Sequence, residues 1–136
     1  MSQALVLVDS SVWIDYYRPH GPAQLKDRLQ EELRLGTVAT MGLITVEVLQ
    51  GAPSASALTS LQEDFLGLQW LEVTPAVWLE AAVLGHRMRR AGLSLPATDV
   101  IIAATALHYQ CHLWHHDEDV AHLARHTASL HAIKIS

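Results

Sequence analysis

Residues 4–11 read Ala4-Leu5-Val6-Leu7-Val8-Asp9-Ser10-Ser11, and the fold class follows from how this stretch is understood. A short unbroken apolar run without polar alternation is the pattern of a strand covered on both faces, as in parallel sheets. The run stops abruptly at Asp9. Val12-Trp13-Ile14-Asp15-Tyr16-Tyr17 then continues with mixed spacing that fits a helix.

The rest of the chain repeats this alternation. Pro22 opens a helical stretch in which Leu25, Leu29 and Leu33 recur every four residues, and Gly36 closes it. Thr37–Thr40 reads as a short strand and Leu43–Gln50 as a helix carrying Glu47, ended by Gly51 and Pro53. Ser54–Leu68 is helical by spacing, and Trp70–Val73 reads as a strand. Thr74-Pro75 supplies a cap and a first-turn proline for a helix reaching about Ala91. Val100–Leu107 is apolar nearly all round and therefore a buried helix, with Asp99 at its first turn. Leu113-Trp114 reads as a strand core, Asp117–His126 as a short helix and Leu130–Ile135 as a last strand. The expected fold is α/β, with a mainly parallel central sheet flanked by helices on both faces.

A length of 136 residues suits a single domain spanning 1–136, and 50% apolar against 17% charged residues excludes a disordered chain. No apolar run is long enough to span a membrane, and Ala4–Val8 lacks the basic flank of a signal peptide, so a cytoplasmic location without membrane attachment is expected. The single cysteine, Cys111, cannot form an internal disulfide and reads as a small buried residue. The formal charge of −5 is the reverse of a simple nucleic-acid binder.

Four acids resist a purely structural explanation. Asp9 and Asp117 each follow a strand, and ligands of open α/β sheets bind beyond the carboxyl ends of strands. Asp99 at a helix start and Glu47 inside an apolar helix can be carried to the same rim by right-handed crossovers. Asp99 and Asp9 also read as helix caps, and Asp117 and Asp119 as ordinary first-turn acids. Glu47, flanked by Val46 and Val48, must reach solvent or a partner. Clustered carboxylates repel and raise one another's pKa unless a cation is present. Oxygen-only ligation suits Mg²⁺ or Mn²⁺, and two such ions about 4 Å apart serve phosphodiester hydrolysis. Removing these four acids from the formal −5 leaves −1 on the remainder, so the acidity does not exclude a nucleic-acid substrate.

In chain order, Val8-Asp9-Ser10-Ser11-Val12-Trp13-Ile14, Glu47-Val48-Leu49-Gln50-Gly51, Asp99–Leu107 and Trp114-His115-His116-Asp117-Glu118-Asp119-Val120 resemble the four signature segments of PIN-domain nucleases, in particular the VapC toxins of bacterial toxin–antitoxin pairs. The resemblance implies a metal-dependent endoribonuclease that inhibits translation, a cognate VapB-type antitoxin and a homodimer. Position by position, it implies that Asp9, Glu47, Asp99 and Asp117 are the metal-holding and catalytic acids. Asp119 matches the family's extra acid, and Ser10 or Ser11 matches the hydroxyl after the first acid. Val120 departs from a common phenylalanine, and His116 from a common Thr or Asn.

Other constellations carry less. His122 and His126 have metalloprotease spacing, but the residue at 123 is Leu and not Glu. His108, Cys111, His112, His115 and His116 fit no zinc template. His115 or His116 beside Asp117 is a candidate for a phosphate contact or proton donor, against a plain polar strand end. Arg87 and Arg90 share a helix face, and Arg18 follows the first helix; all three are candidate RNA contacts, set against cations that simply favour a helix C-terminus. Part of the Trp13, Tyr16 and Tyr17 group is expected to remain outside the core, available to a partner peptide or a stacked base. A phosphoryl-acceptor reading of Asp9 fails its own patterns, since position 11 is serine and the only lysines are Lys26 and Lys134. A binding domain without turnover is the remaining rival.

Overall fold

The computed structural model describes residues 4–135, and in them each strand is followed by one or two helices before the next strand. The elements are β1 (Val6–Val8), α1 (Ser10–Tyr17), α2 (Ala23–Leu35), β2 (Val38–Thr40), α3 (Gly42–Leu49), α4 (Ala55–Leu66), β3 (Gln69–Trp70), α5 (Pro75–Arg90), α6 (Ala97–Tyr109), β4 (His112–His115), α7 (Glu118–Arg125) and β5 (Ala132–Lys134). The local chemistry explains most boundaries. Ser54 accepts the backbone N–H of Ala57 at 3.1 Å, Thr74 caps α5 ahead of Pro75, and Gly36 ends α2 at φ +73°, where a side chain would be strained.

All strands are parallel, in the order β3-β2-β1-β4-β5. Leu7 at the centre is in register with Ala39 of β2 and Leu113 of β4, and β1 is buried along its whole length, as its unbroken apolar run requires. The chain travels outward through β2 and β3, then returns to place β4 beside β1. With right-handed crossovers, this reversal puts the helices of the two halves on opposite faces. It also makes the gap beyond β1 and β4 the switch point of the sheet, where open α/β folds bind ligands.

The core gathers Leu7, Trp13, Leu29, Met41, Phe65, Met88 and Ile102 from both faces. Of α6, Val100 and residues 102–106 are buried, so this helix is enclosed as its composition requires. Three expectations change. The strand read at Trp70–Val73 is Gln69–Trp70; Leu71 still donates to the carbonyl of Thr40 at 2.9 Å, but the chain must then turn so that Thr74 can cap α5. The last strand shortens to Ala132–Lys134. Trp13 belongs to the core, stacked on Tyr17 and 4.8 Å from Phe65 between ring centres. Of the same aromatic group Tyr17 does remain exposed, and the other exposed large apolar side chains include Ile14 beside it and Trp78, Leu79 and Val83 of α5. No helix among the described residues is long and apolar enough to cross a membrane.

Candidate active site

Asp9 and Asp117 occupy equivalent places one strand apart. Asp9 directly follows β1 and Asp117 lies two residues beyond the end of β4, and each is the N-cap of the next helix. Oδ2 of Asp9 accepts the Ser11 backbone N–H at 3.1 Å, and Oδ1 of Asp117 accepts those of Asp119 at 2.7 Å and Val120 at 3.3 Å. The backbone N–H of Asp9 donates to the Trp114 carbonyl at 2.9 Å, which ties the two strand ends together. A capping carboxylate uses one oxygen on the helix. The second oxygen of each acid has no protein partner among the described residues and is available to the rim.

Asp99 and Glu47 are held differently. Asp99 lies in the first turn of α6 but does not cap it; the cap position is Pro96, without a side-chain bond. Its carboxylate comes together with those of Asp117 and Asp119, one oxygen of each lying within 4.8 Å of the others. Burial pushes the Asp99 pKa up to about 7, and repulsion from Asp117, Asp9, Asp119 and Glu47 adds to this. Glu47, on α3, is also raised, first by burial and then by Asp9 and Asp117, with the Ser10 hydroxyl opposing the shift. Its Oε1 is buried and has no hydrogen-bond partner. Five acids thus share one electrostatic field, with Asp99, Asp117 and Asp119 in closest contact. An orphaned carboxylate oxygen, a raised carboxyl and donors that are all oxygen are the properties of a site that a hard divalent cation would satisfy.

The hydroxyls and histidines around the acids divide the positioning work. Ser11 donates its hydroxyl to Asp9 Oδ2 at 2.5 Å and accepts the backbone N–H of His116 at 2.9 Å, which links α1 to the end of β4. His115 is buried, and its Nδ1 accepts the backbone N–H of Asp117 at 3.3 Å. Burial lowers its pKa, against the pull of Asp9 and Asp117, which favours the neutral ring that accepts the Asp117 N–H. His116 is exposed, and its Nδ1 stands 3.0 Å from Oδ2 of Asp15. Of the pair flagged in the sequence, His115 is therefore a buried support and His116 a rim residue. Asp15 was missed, although it follows Ser11 by four residues and so shares its helix face.

The candidate RNA contacts separate from one another. Arg18 pairs with Asp15 at 3.3 Å and lines a cleft of about 710 Å³ that also includes Glu47, Ile14, Tyr17 and Leu61. The antiparallel packing of α5 on α6, with Glu80 against His108 and Gly85 against Val100, carries the last turn of α5 toward the first turn of α6. Arg87 lines another groove, with Leu79, Val83, His112 and His131. Neither Arg87 nor Arg90 makes an ion pair with the acids among the described residues. His122 lies on α7 and His126 is its C-cap, and both bond locally, His122 to Arg125 and His126 to the His122 carbonyl.

The sequence profile of the PIN domain matches residues 6–126. This chain belongs to the PIN-domain family. A VapC ribonuclease of Mycobacterium bovis and ribonuclease VapC11 of Mycobacterium tuberculosis are each 32% identical to it over 128 residues, which is 90% of this chain and 94% of theirs. Within the PIN domains the chain is therefore a VapC-family member. Its fold matches that of VapBC2 from Rickettsia felis, solved bound to a promoter DNA fragment, with a TM-score of 0.79 at 15% identity, covering 97% of this chain and 99% of that one. DNA-bound VapBC from Salmonella typhimurium matches with a TM-score of 0.78 at 12% identity, over 97% and 98%. The switch point between β1 and β4 lies inside the matched region, so the PIN domain of this chain carries its acids at the rim that α/β sheets use for ligands.

Proposed function

We propose that this VapC-family chain is a Mg²⁺- or Mn²⁺-dependent endoribonuclease, acting in the cytoplasm as the toxin of a toxin–antitoxin pair and inhibiting translation by cleaving RNA. The observation that carries the reading is the convergence of Asp99, Asp117 and Asp119 within 4.8 Å, beside Asp9 and a Glu47 whose Oε1 lacks a partner. Asp9, Glu47, Asp99 and Asp117 would hold the cation, directly or through water, with Asp119 as a further ligand. When bound, the cation supplies Lewis-acid stabilisation of charge on the phosphodiester and acidifies a water.

The protein's own groups do the rest. Ser11 and the α1 backbone hold one oxygen of Asp9 back so that the other faces the rim. The α7 backbone does the same for Asp117, while His115 accepts the backbone N–H of Asp117 and fixes that residue's main chain. Glu47 or Asp117 accepts a proton-bearing contact from the attacking water and orients it. Ser10 acts on Glu47, and Arg18 stands where an RNA backbone would leave the acids. Arg87 and Arg90 are secondary backbone contacts. We assign residues 1–136 to one domain that forms a homodimer and is neutralised by a cognate VapB-type antitoxin. The name VapC ribonuclease on relatives at 32% identity, and the VapBC partnership of the structural neighbours, support both parts of the reading.

The test is cleavage of labelled single-stranded RNA by the purified chain. Cleavage should appear with Mg²⁺ or Mn²⁺, vanish in chelator and vanish in Asp99→Asn. Full activity in that variant, or no metal-dependent cleavage by the native chain, would overturn the reading.

A further inference from the structure

One acid on α1 has no role in the scheme above. Asp15 is largely buried, its side chain 13% exposed, and its two oxygens are divided between partners: Oδ2 lies 3.0 Å from Nδ1 of His116 and Oδ1 lies 3.3 Å from Nη1 of Arg18. The backbone N–H of the same His116 is held by Ser11, which donates to Asp9. His116 is thus fixed at two points from α1, at its ring and at its backbone. Its side chain is 40% exposed, and its Nε2 has no partner among the described residues.

A carboxylate against Nδ1 fixes both the orientation of an imidazole and the nitrogen that stays available. Here that nitrogen is Nε2, one residue before Asp117. On the nuclease reading, the scissile phosphate lies against Asp9, Asp99 and Asp117, so the sugar bonded to that phosphate lies next to His116. A phosphate oxygen only accepts hydrogen bonds, whereas a ribose 2′-hydroxyl both donates and accepts and so matches Nε2 with or without its proton. The 2′-hydroxyl is also the group that distinguishes RNA from DNA.

We propose that Asp15 and His116 form a hydrogen-bonded pair that contacts the ribose 2′-hydroxyl beside the scissile phosphate and so selects RNA over DNA. His116 makes the contact and Asp15 is its positioning residue. The placement of the phosphate rests on the nuclease reading; the pairing of the two side chains does not.

The experiment measures equilibrium binding of a single-stranded RNA oligonucleotide and its all-deoxy counterpart of the same base order (uracil kept), with Ca²⁺ in place of Mg²⁺ to slow turnover. Native protein should bind the RNA about tenfold more tightly, the size of one hydrogen bond. Asp15→Ala and His116→Ala should each bring that ratio close to one, and the double variant should lose no more than either single variant. Asp15→Asn keeps an acceptor oxygen and should retain most of the ratio. Long-range ¹⁵N–¹H spectra should show the His116 proton on Nδ1 in the native chain, and Asp15→Ala should remove that preference. Mn²⁺ affinity should stay the same in Asp15→Ala. A native chain without RNA preference, variants that keep the full preference, or a weakened metal site in Asp15→Ala would each overturn the proposal. Cleavage is scored separately: a native chain that binds RNA but never cuts it refutes the nuclease reading, and the ratios still decide the role of Asp15 and His116.

Discussion

The acids that follow β1 and β4 reach the rim by a different route from those on α3 and α6. Asp9 and Asp117 are caps, and backbone N–H groups at 2.7–3.3 Å compensate each of them for leaving water. Asp99 and Glu47 have no such donors from the backbone. Both rise above the usual carboxylate range, chiefly through burial. Helix stability alone is reason enough for an acid at positions 9 and 117. At 47 and 99 no backbone donor offsets the burial of the charge, which is the condition a cation at the rim would relieve.

The largest test of this contrast is catalytic and thermodynamic at once. Asp9→Asn and Asp99→Asn should each reduce metal-dependent RNA cleavage at least about a hundredfold, since either removes a charged oxygen from the site. Their effects on stability should differ. Asp99→Asn should stabilise the metal-free protein at pH 8 by about 1–2 kcal/mol, the shift being discounted for solvent screening, whereas Asp9→Asn keeps a capping oxygen and should change it little. Equal stabilisation by both, in urea unfolding with chelator, would erase the distinction.

The pH dependence sharpens the same point. Asp99 holds its proton to about pH 7 in the folded chain but only to about 3.8 when unfolded. Between these values the unfolded state loses the proton first, so this group lowers stability as pH rises from about 4 to about 7 and adds no further slope above that. Metal-free Asp99→Asn protein should lack this decline. Mn²⁺ binding near pH 6 should release protons from the native chain, seen by calorimetry in buffers of different ionisation enthalpy, and fewer from the variant.

A smaller effect separates cap from charge. Asp117→Ala should cost about 1 kcal/mol of stability through the lost cap of α7, while Asp117→Asn should cost a few tenths. Unfolding midpoints in chelator measure both. Identical losses would mean that the charge of Asp117, and not its hydrogen bonds, supports the helix.

The smallest expected change is at Glu47. Glu47→Gln should raise metal-free stability by only a few tenths of a kcal/mol, because the neutral amide still leaves a buried polar atom without a partner. Stabilisation as large as that in Asp99→Asn would place Glu47 at the centre of the repulsion.

Much of this was legible along the chain, because it depends on neighbours a few residues apart. The apolar run ending at Val8, the caps at Ser54 and Thr74, the glycine stop at 36 and the enclosed helix around Val100–Leu107 follow from local spacing and from which backbone positions need a donor or an acceptor. The same local reading singled out the acids at 9, 47, 99 and 117, since a carboxylate amid apolar residues or beyond a buried strand is conspicuous without any coordinates, whereas Asp119 entered only through the family resemblance. Tertiary structure alone decided which of them meet. Strand order is set by pairing between distant segments, and it places β4 beside β1, so that His116 bonds to Ser11 across 105 positions and Asp99 comes within reach of Asp117 and Asp119. It also decided that Trp13 is core, that His115 is buried while His116 is exposed, and that Asp15 is shared between a histidine and an arginine. Such outcomes depend on which side chains the sheet and its covering helices bring face to face, a quantity that periodicity along one segment does not contain.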